Sequence, residues 1–351
     1  MLFLSYFLQI LSFIGKNSRS VKFLIRIIYR GHISFLSRLP RANRNLKQHN
    51  MSNKLQNLLD CAIRDHQNLK EKSGYEIGGR VYDNYVSKEA FEIEKGEMKP
   101  LIREQFDGAP GGELKERRVR RGVYPPKMAC FGSSSRFVVN LLKTDEGVCF
   151  EASLPTRVGN SANLDARKKL ENKEVFVEAK CREIYNPHRK IEIKDVYKGV
   201  YDDLSEFFSY DCFESSKEGY FKCTFKVGEQ EILHFDLKQL ICHFLAIAAA
   251  ILEKKCKPDI HFIYLIFSPS EVRKELGAEW GKMKAVYDKT LKEIAQFDME
   301  KLFERIYLFQ KENLVRREVK IKYGGEYTFT FDVANQWFAL FKDLSAAPSV
   351  K

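Results

Sequence analysis

The stretch VCFEASLPTRVGNSANLDARKKLENKEVFVEAK, residues 148–180, decides the fold, because it holds three short apolar–polar alternations separated only by turn signals. The pattern predicts a strand at 148–154, a turn around Gly159-Asn160, a return strand ANLDARK, a turn at Glu171-Asn172-Lys173 and a third strand EVFVEAKC. On the second strand Ala162, Leu164 and Ala166 share one face and Asn163, Asp165 and Arg167 the other. On the third, Val175, Val177 and Ala179 oppose Phe176, Glu178 and Lys180.

Upstream, Pro125-Pro126 bars a helix, and Ser133 to Ser135 offer N-cap side chains to an apolar stretch, so a helix is expected at about 134–143. Downstream, Asp236 caps LKQLICHFLAIAAAILEKK, whose apolar stretch 240–252 is thirteen residues long and reads as a buried core helix rather than a membrane span. IHFIYLIF at 260–267 is a continuous apolar run, typical of a central strand covered on both faces. The order over 134–267 is therefore α-β-β-β-α-β.

The remainder is organised around this core. Residues 51–72 read as a short amphipathic helix, and 73–124 as loop with little regular structure apart from a helix around 87–106. Residues 182–235 are an aromatic-rich, irregular insertion with one strand at GYFKCTFKV. Beyond 270 the pattern predicts one or two amphipathic helices to about 310. A β-hairpin VKIKY-GGE-YTFTF with a three-residue turn at Gly324 to Glu326 follows, then a last helix from Val333 to Leu344. As domains, this gives an N-terminal extension at 1–50, a helical and loop region at 51–124, a core at 125–270 and a C-terminal α+β extension at 271–351.

Composition excludes a disordered or collagenous chain: of 351 residues 44% are hydrophobic and only ten are proline. The formal charge of +12 would by itself point to nucleic acid or an anionic membrane, but residues 1–50 hold nine Lys or Arg and no acid, so residues 51–351 carry only +3. Residues 2–14, LFLSYFLQILSFI, are too short to span a bilayer and lack the charge order of a secretory signal. A basic amphipathic helix on a membrane surface is one reading of the extension. The abrupt return to ordinary composition at Met51 fits translated upstream sequence better, and a membrane partner is not expected. Eight cysteines without a CxxC pair or metal-finger spacing read as a reduced, cytoplasmic chain.

The chemistry gathers on the third strand. Glu178 and Lys180 project from one face, thirteen positions after Asp165 on the preceding strand. Two carboxylates on adjacent strands suit Mg²⁺, a hard cation that takes oxygen ligands, with Mn²⁺ as a substitute and the carbonyl of Ala179 as a further donor. Such an ion polarises a phosphodiester and lowers the pKa of an attacking water, and Lys180 would orient that water or meet the developing negative charge. An E-x-K triplet alone is most often a solvated strand face. Its place between a partner Asp and a buried helix–strand pair raises its weight. KERRVRR at 115–121 reads either as a solvated face or as a contact to a DNA backbone through Arg117, Arg118, Arg120 and Arg121. Arg136, at the start of the first core helix, is a further phosphate-contact candidate. His243, flanked by Cys242 and Phe244, reads as a core histidine.

The strings MACFGSSSRFVVNLL, LPTRVGNSANLDA, VFVEAKCREIY and FDLKQLICHFLAI resemble the PD-(D/E)XK nuclease superfamily, in particular a bacterial group of restriction-endonuclease-like proteins, over about residues 125–267. The resemblance implies an α/β (α+β) restriction-endonuclease-like core with a mixed central sheet. It implies a Mg²⁺-dependent endonuclease acting on DNA in restriction, defence or repair, without a small-molecule cofactor and with a homodimer admitted. Asp165 matches the family's metal-binding acid, Glu178 and Lys180 the acid and lysine of the last motif, and Gln239 the polar residue many members carry on the second helix. The departure is the first helix, where many members carry a Glu and residues 133–143 have none; Glu151 is the nearest substitute. The rival reading is a catalytically silent nucleic-acid-binding module of the same fold.

Overall fold

The alternation in residues 148–180 becomes the antiparallel half of a mixed sheet. In the computed structural model, which describes residues 41–108, 113–119 and 122–334 with side chains from Asn53 onward, strands β1 (Val148–Pro155), β2 (Ser161–Lys169) and β3 (Glu174–Lys180) pair antiparallel in sequence order. Strand β4 (Asp259–Ile266) adds parallel to β3, and β5 (Thr328–Ala334) parallel to β4, giving the order β5-β4-β3-β2-β1. The fold is α+β. The chain divides into Met1–Met51 and Ser52–Lys351, and the central sheet lies wholly in the second unit.

Helix α1 (Arg41–His66) begins about ten residues before the amphipathic stretch read from sequence, and buries Leu55, Leu59, Ala62 and Ile63. Helix α2 (Ser134–Leu142) starts where expected, with the Ser133 hydroxyl accepting from the Arg136 backbone N–H. Helix α3 (Leu237–Leu252) is capped by Asp236 and is buried except at Lys238, Gln239 and Cys242. It covers the sheet face that carries Phe176, Glu178 and Lys180, since Phe244 meets Phe262 edge-on and Phe262 stands in register with Phe176. With α3 on that face, β3 is buried along its whole length although it carries three charged residues. Helices α4 (Trp280–Ile294) and α5 (Met299–Arg316) follow, after a four-residue helix Arg273–Leu276. No helix among the described residues is long and apolar enough to cross a membrane.

Several expectations are corrected. Residues 73–124 are more regular than expected: the helix expected around 87–106 is present as two, Lys88–Glu97 and Pro100–Gly108, but Ser73–Ile77 and Arg80–Val86 form a hairpin and Arg117–Val119 pairs with Gly122–Tyr124 where loop was expected. The insertion is also ordered, as a small antiparallel sheet of Ile191–Lys194, Ser209–Glu214, Tyr220–Val227 and Gln230–Glu231. The hairpin VKIKY-GGE-YTFTF does not form. Its first half stays out of any sheet, with the Lys322 and Tyr323 amides donating to the Leu252 carbonyl, while its second half becomes β5 on the edge of the central sheet. The reason is a better partner: on β4, Phe329 and Phe331 reach Phe244, and Phe329 stacks on Phe303 at 3.8 Å between centroids. Val333 and Ala334 belong to β5 rather than to a closing helix, and the rest of that expected helix lies outside the described residues, as do residues 1–40 of the extension.

Candidate functional site

Strand register lines up the acids. Phe150 stands opposite Ala166 and Ala152 opposite Leu164, so Glu151 faces Asp165 at the one position where the β1–β2 ladder is interrupted. Glu151 holds φ +49°, a left-handed conformation uncommon outside glycine, and this takes its backbone out of the ladder. The β2–β3 ladder stops at Ala166–Val177, so the next position sets Asp165 beside Glu178, which is itself paired with Tyr264 of β4. Glu151, Asp165 and Glu178 thus form one row on one face of three strands. Where the ladder stops, Oδ2 of Asp165 accepts the Ala179 backbone N–H at 2.7 Å, so a side chain takes the donor.

Lys180 sits beside this row. Its Nζ donates to Glu178 Oε1 at 2.6 Å and to Gln239 Oε1 at 2.5 Å. Gln239 lies in the first turn of α3, its backbone N–H donating to the capping Asp236, and that cap sets its side chain over Lys180. One turn on, His243 is buried with Nε2 3.1 Å from Glu178 Oε2, close enough to pair electrostatically but without the alignment of a hydrogen bond. Glu151, Asp165, Glu178, Lys180 and Gln239 line a cleft of about 440 Å³, to which Glu113, Lys127, Ser135 and Arg182 also contribute, while His243 lies behind Glu178 in the core. The Ser135 hydroxyl lies within reach of both Glu151 Oε1 (3.3 Å) and Glu113 Oε2 (3.4 Å), and Lys127 pairs with Glu113 at 2.8 Å.

The electrostatics divide the carboxylates in two. Burial pushes the Glu178 carboxyl up, but Lys180 and His243 outweigh it and hold the group down at about 2. Burial would likewise strip the Lys180 proton, yet Glu178 keeps its pKa well above the usual lysine range, so Lys180 is a fixed positive charge and not a base. Asp165 is raised well above the ordinary carboxylate range by burial and by the Glu178 charge, against the pull of Lys180 and the Ala179 amide. Glu151 is raised to about 7, by burial and then by Glu113.

Hard oxygen donors raised first by burial and then by neighbouring carboxylates, Glu178 beside Asp165 and Glu113 beside Glu151, fit a divalent cation, whose charge would offset both effects. Asp165 and Glu178 would hold it, with Glu151 as a third acid. Among the described residues no three His, Cys, Asp or Glu side chains are closed into a metal shell, and Glu178 is engaged by Lys180 and His243.

Of the residues read from sequence, Asp165, Glu178, Lys180, Gln239 and Glu151 come together, and Arg117 lines the same cleft. Arg118 is exposed on the short hairpin beside it, and Arg120 and Arg121 lie outside the described residues. Arg136 does not face a phosphate: it is buried, its guanidinium bidentate to Glu94 at 2.7 and 2.9 Å and bonded to the Met128 carbonyl. His243, read as a core histidine, is in the core and also at the site. Glu113 and Ser135 were missed, because nothing in their spacing shows that the loop after Gly111-Gly112 folds onto α2. Arg182 had a signal, since it continues the 178, 180, 182 alternation. No family model, no curated protein and no solved structure matches the chain.

Proposed function

We propose that the chain is a Mg²⁺-dependent nuclease hydrolysing DNA phosphodiester bonds in a restriction, defence or repair role, with Mn²⁺ as an alternative ion. The observation that carries this reading is the row Glu151, Asp165, Glu178 across three strands with Lys180 bonded to both Glu178 and Gln239. The order α2-β1-β2-β3-α3-β4 supports a restriction-endonuclease-like core, as the sequence resemblance implies. Mg²⁺, when bound, supplies Lewis-acid activation of the phosphodiester and of a water.

The chain's own residues do the rest. Asp165, fixed by the Ala179 amide, and Glu178 would hold the ion. The Lys180 ammonium, steered by Glu178 and Gln239, would donate toward the phosphoryl oxygen as negative charge builds. Arg117, which bonds only the Pro125 carbonyl and pairs with no acid among the described residues, and exposed Arg118 would meet backbone phosphates.

Incubating the chain with plasmid DNA, with and without Mg²⁺, tests the reading. Cleavage should require the ion, and Glu178→Ala and Lys180→Met should each reduce it by about 10²–10³, the cost of losing one transition-state stabiliser, while salt-sensitive DNA binding persists. A parent protein that binds DNA but never cuts under any divalent ion would leave the silent binding module instead.

A further inference from the structure

Arg182 lines the cleft, two residues beyond Lys180, and two separate segments hold it there. Its Nη1 donates to Asp60 Oδ2 of α1 at 2.6 Å and to Cys130 Sγ at 2.7 Å, and its carbonyl accepts from Gln56 of α1 at 3.1 Å. Asn84 donates to the same Asp60 oxygen at 2.9 Å. Asp60 is wholly buried, and its other oxygen, Oδ1, has no hydrogen-bond partner. At Gly132 an added Cβ would come 2.2 Å from that oxygen, so the chain entering α2 can approach Asp60 this closely only as glycine.

This arrangement is poorly explained as a source of stability. A buried ion pair seldom repays its desolvation, an orphaned carboxylate oxygen makes it worse, and burial pushes Asp60 up to about 6 even beside an arginine. What it achieves is position. The guanidinium is clamped through one nitrogen, while Nε and Nη2 make no hydrogen bond among the described residues and the side chain keeps 23% of its exposure at the cleft. The neighbouring acid, Glu183, is turned back onto the Cys181 amide (2.8 Å) and the Ser134 hydroxyl (3.3 Å). A rigid fork with free donors beside a cluster of carboxylates suits one oxygen-rich anion, a phosphate.

We infer that Arg182 grips a backbone phosphate of the bound strand next to the scissile one, with Asp60 as its positioning residue, an assignment that rests on the nuclease reading above. Arg182→Gln is expected to raise KM for plasmid, and Kd for a labelled DNA duplex in EDTA, by about tenfold or more, with kcat within about threefold and the slope of log affinity against log salt reduced by about one unit. Arg182→Lys keeps the charge but loses the fork, so the salt slope should stay parental while affinity falls about three- to tenfold. Asp60→Asn should raise KM with kcat and salt slope unchanged. Parental KM and salt slope in a folded Arg182→Gln protein overturn the inference alone. So does parental affinity in Arg182→Lys, even where Arg182→Gln fails to fold. A loss of melting temperature in these variants with KM unchanged would mark a structural tie and also overturn it. A parent protein that neither binds nor cuts DNA overturns this inference together with the nuclease reading.

Discussion

Glu151 gives the cleft its pH dependence. Its folded pKa of about 7 lies above the ordinary 4.5, so the fold favours its protonated form. That contribution is full below pH ~4.5 and is lost as pH rises toward 7. Asp60, raised from 3.8 to about 6, acts in the same direction over an overlapping window. Glu178, held down at about 2, acts oppositely and costs stability only as pH falls below ~4.5. The metal-free protein should therefore melt at a lower temperature at pH 8 than at pH 5. Glu151→Gln should recover about 1–2 kcal/mol at pH 8, roughly 2–8 °C, and nothing at pH 4. Differential scanning calorimetry across pH checks this, and equal melting temperatures for parent and variant at pH 8 would show that Glu151 is not strained by its neighbours. Adding Mg²⁺ or Mn²⁺ at pH 8 should raise the parental melting temperature and leave Asp165→Asn nearly unmoved, since only binding to the folded state stabilises it.

Among the elements, α3 and β5 are joined by an aromatic cluster. Phe244 is wholly buried and meets Phe262, Phe303, Phe329 and Phe331, so one ring joins the helix, two strands and α5. Phe244→Ala should cost about 3–5 kcal/mol in urea unfolding. Because α3 also carries Gln239 and His243, a refolded Phe244→Ala protein should lose activity beyond its loss of folded fraction. The same cluster explains the absent hairpin: pairing with residues 319–323 would satisfy β5 hydrogen bonds on a solvated edge, whereas pairing with β4 does so while burying Phe329.

Over the whole second unit, a few buried polar groups join distant segments. Glu293 of α4 is wholly buried and accepts from the backbone N–H groups of Leu233 (3.1 Å), His234 (2.7 Å) and Phe235 (2.9 Å), fixing the chain where it leaves the insertion and enters α3. Glu293→Ala would leave three amides without an acceptor, and should cost about 3 kcal/mol or more by the usual penalty for buried unsatisfied donors, read as a lower urea midpoint. An unchanged midpoint would mean that water replaces the carboxylate at no cost.

Period-two alternation over 148–180, the Asp236 cap and the uniformly apolar 240–252 and 260–267 were enough by themselves to specify the order of the core and to put Asp165, Glu178 and Lys180 on strand faces, because each rests on contacts within a few residues. Gln239 was singled out only through the resemblance; the local signal placed it no further than the first turn of a helix capped by Asp236. Tertiary structure alone decided the rest. The partner of β5 depended on rings of Phe244, Phe262 and Phe303, tens of residues away, and the strands within residues 73–124 took form only against neighbours that periodicity does not reveal. Arg136 carries the same signal in sequence as a phosphate contact, yet Glu94 from a separate helix claims it. Glu113, Ser135 and Asp60 reach the cleft or its rim from separate segments, and local spacing holds no record of approaches made by long-range packing.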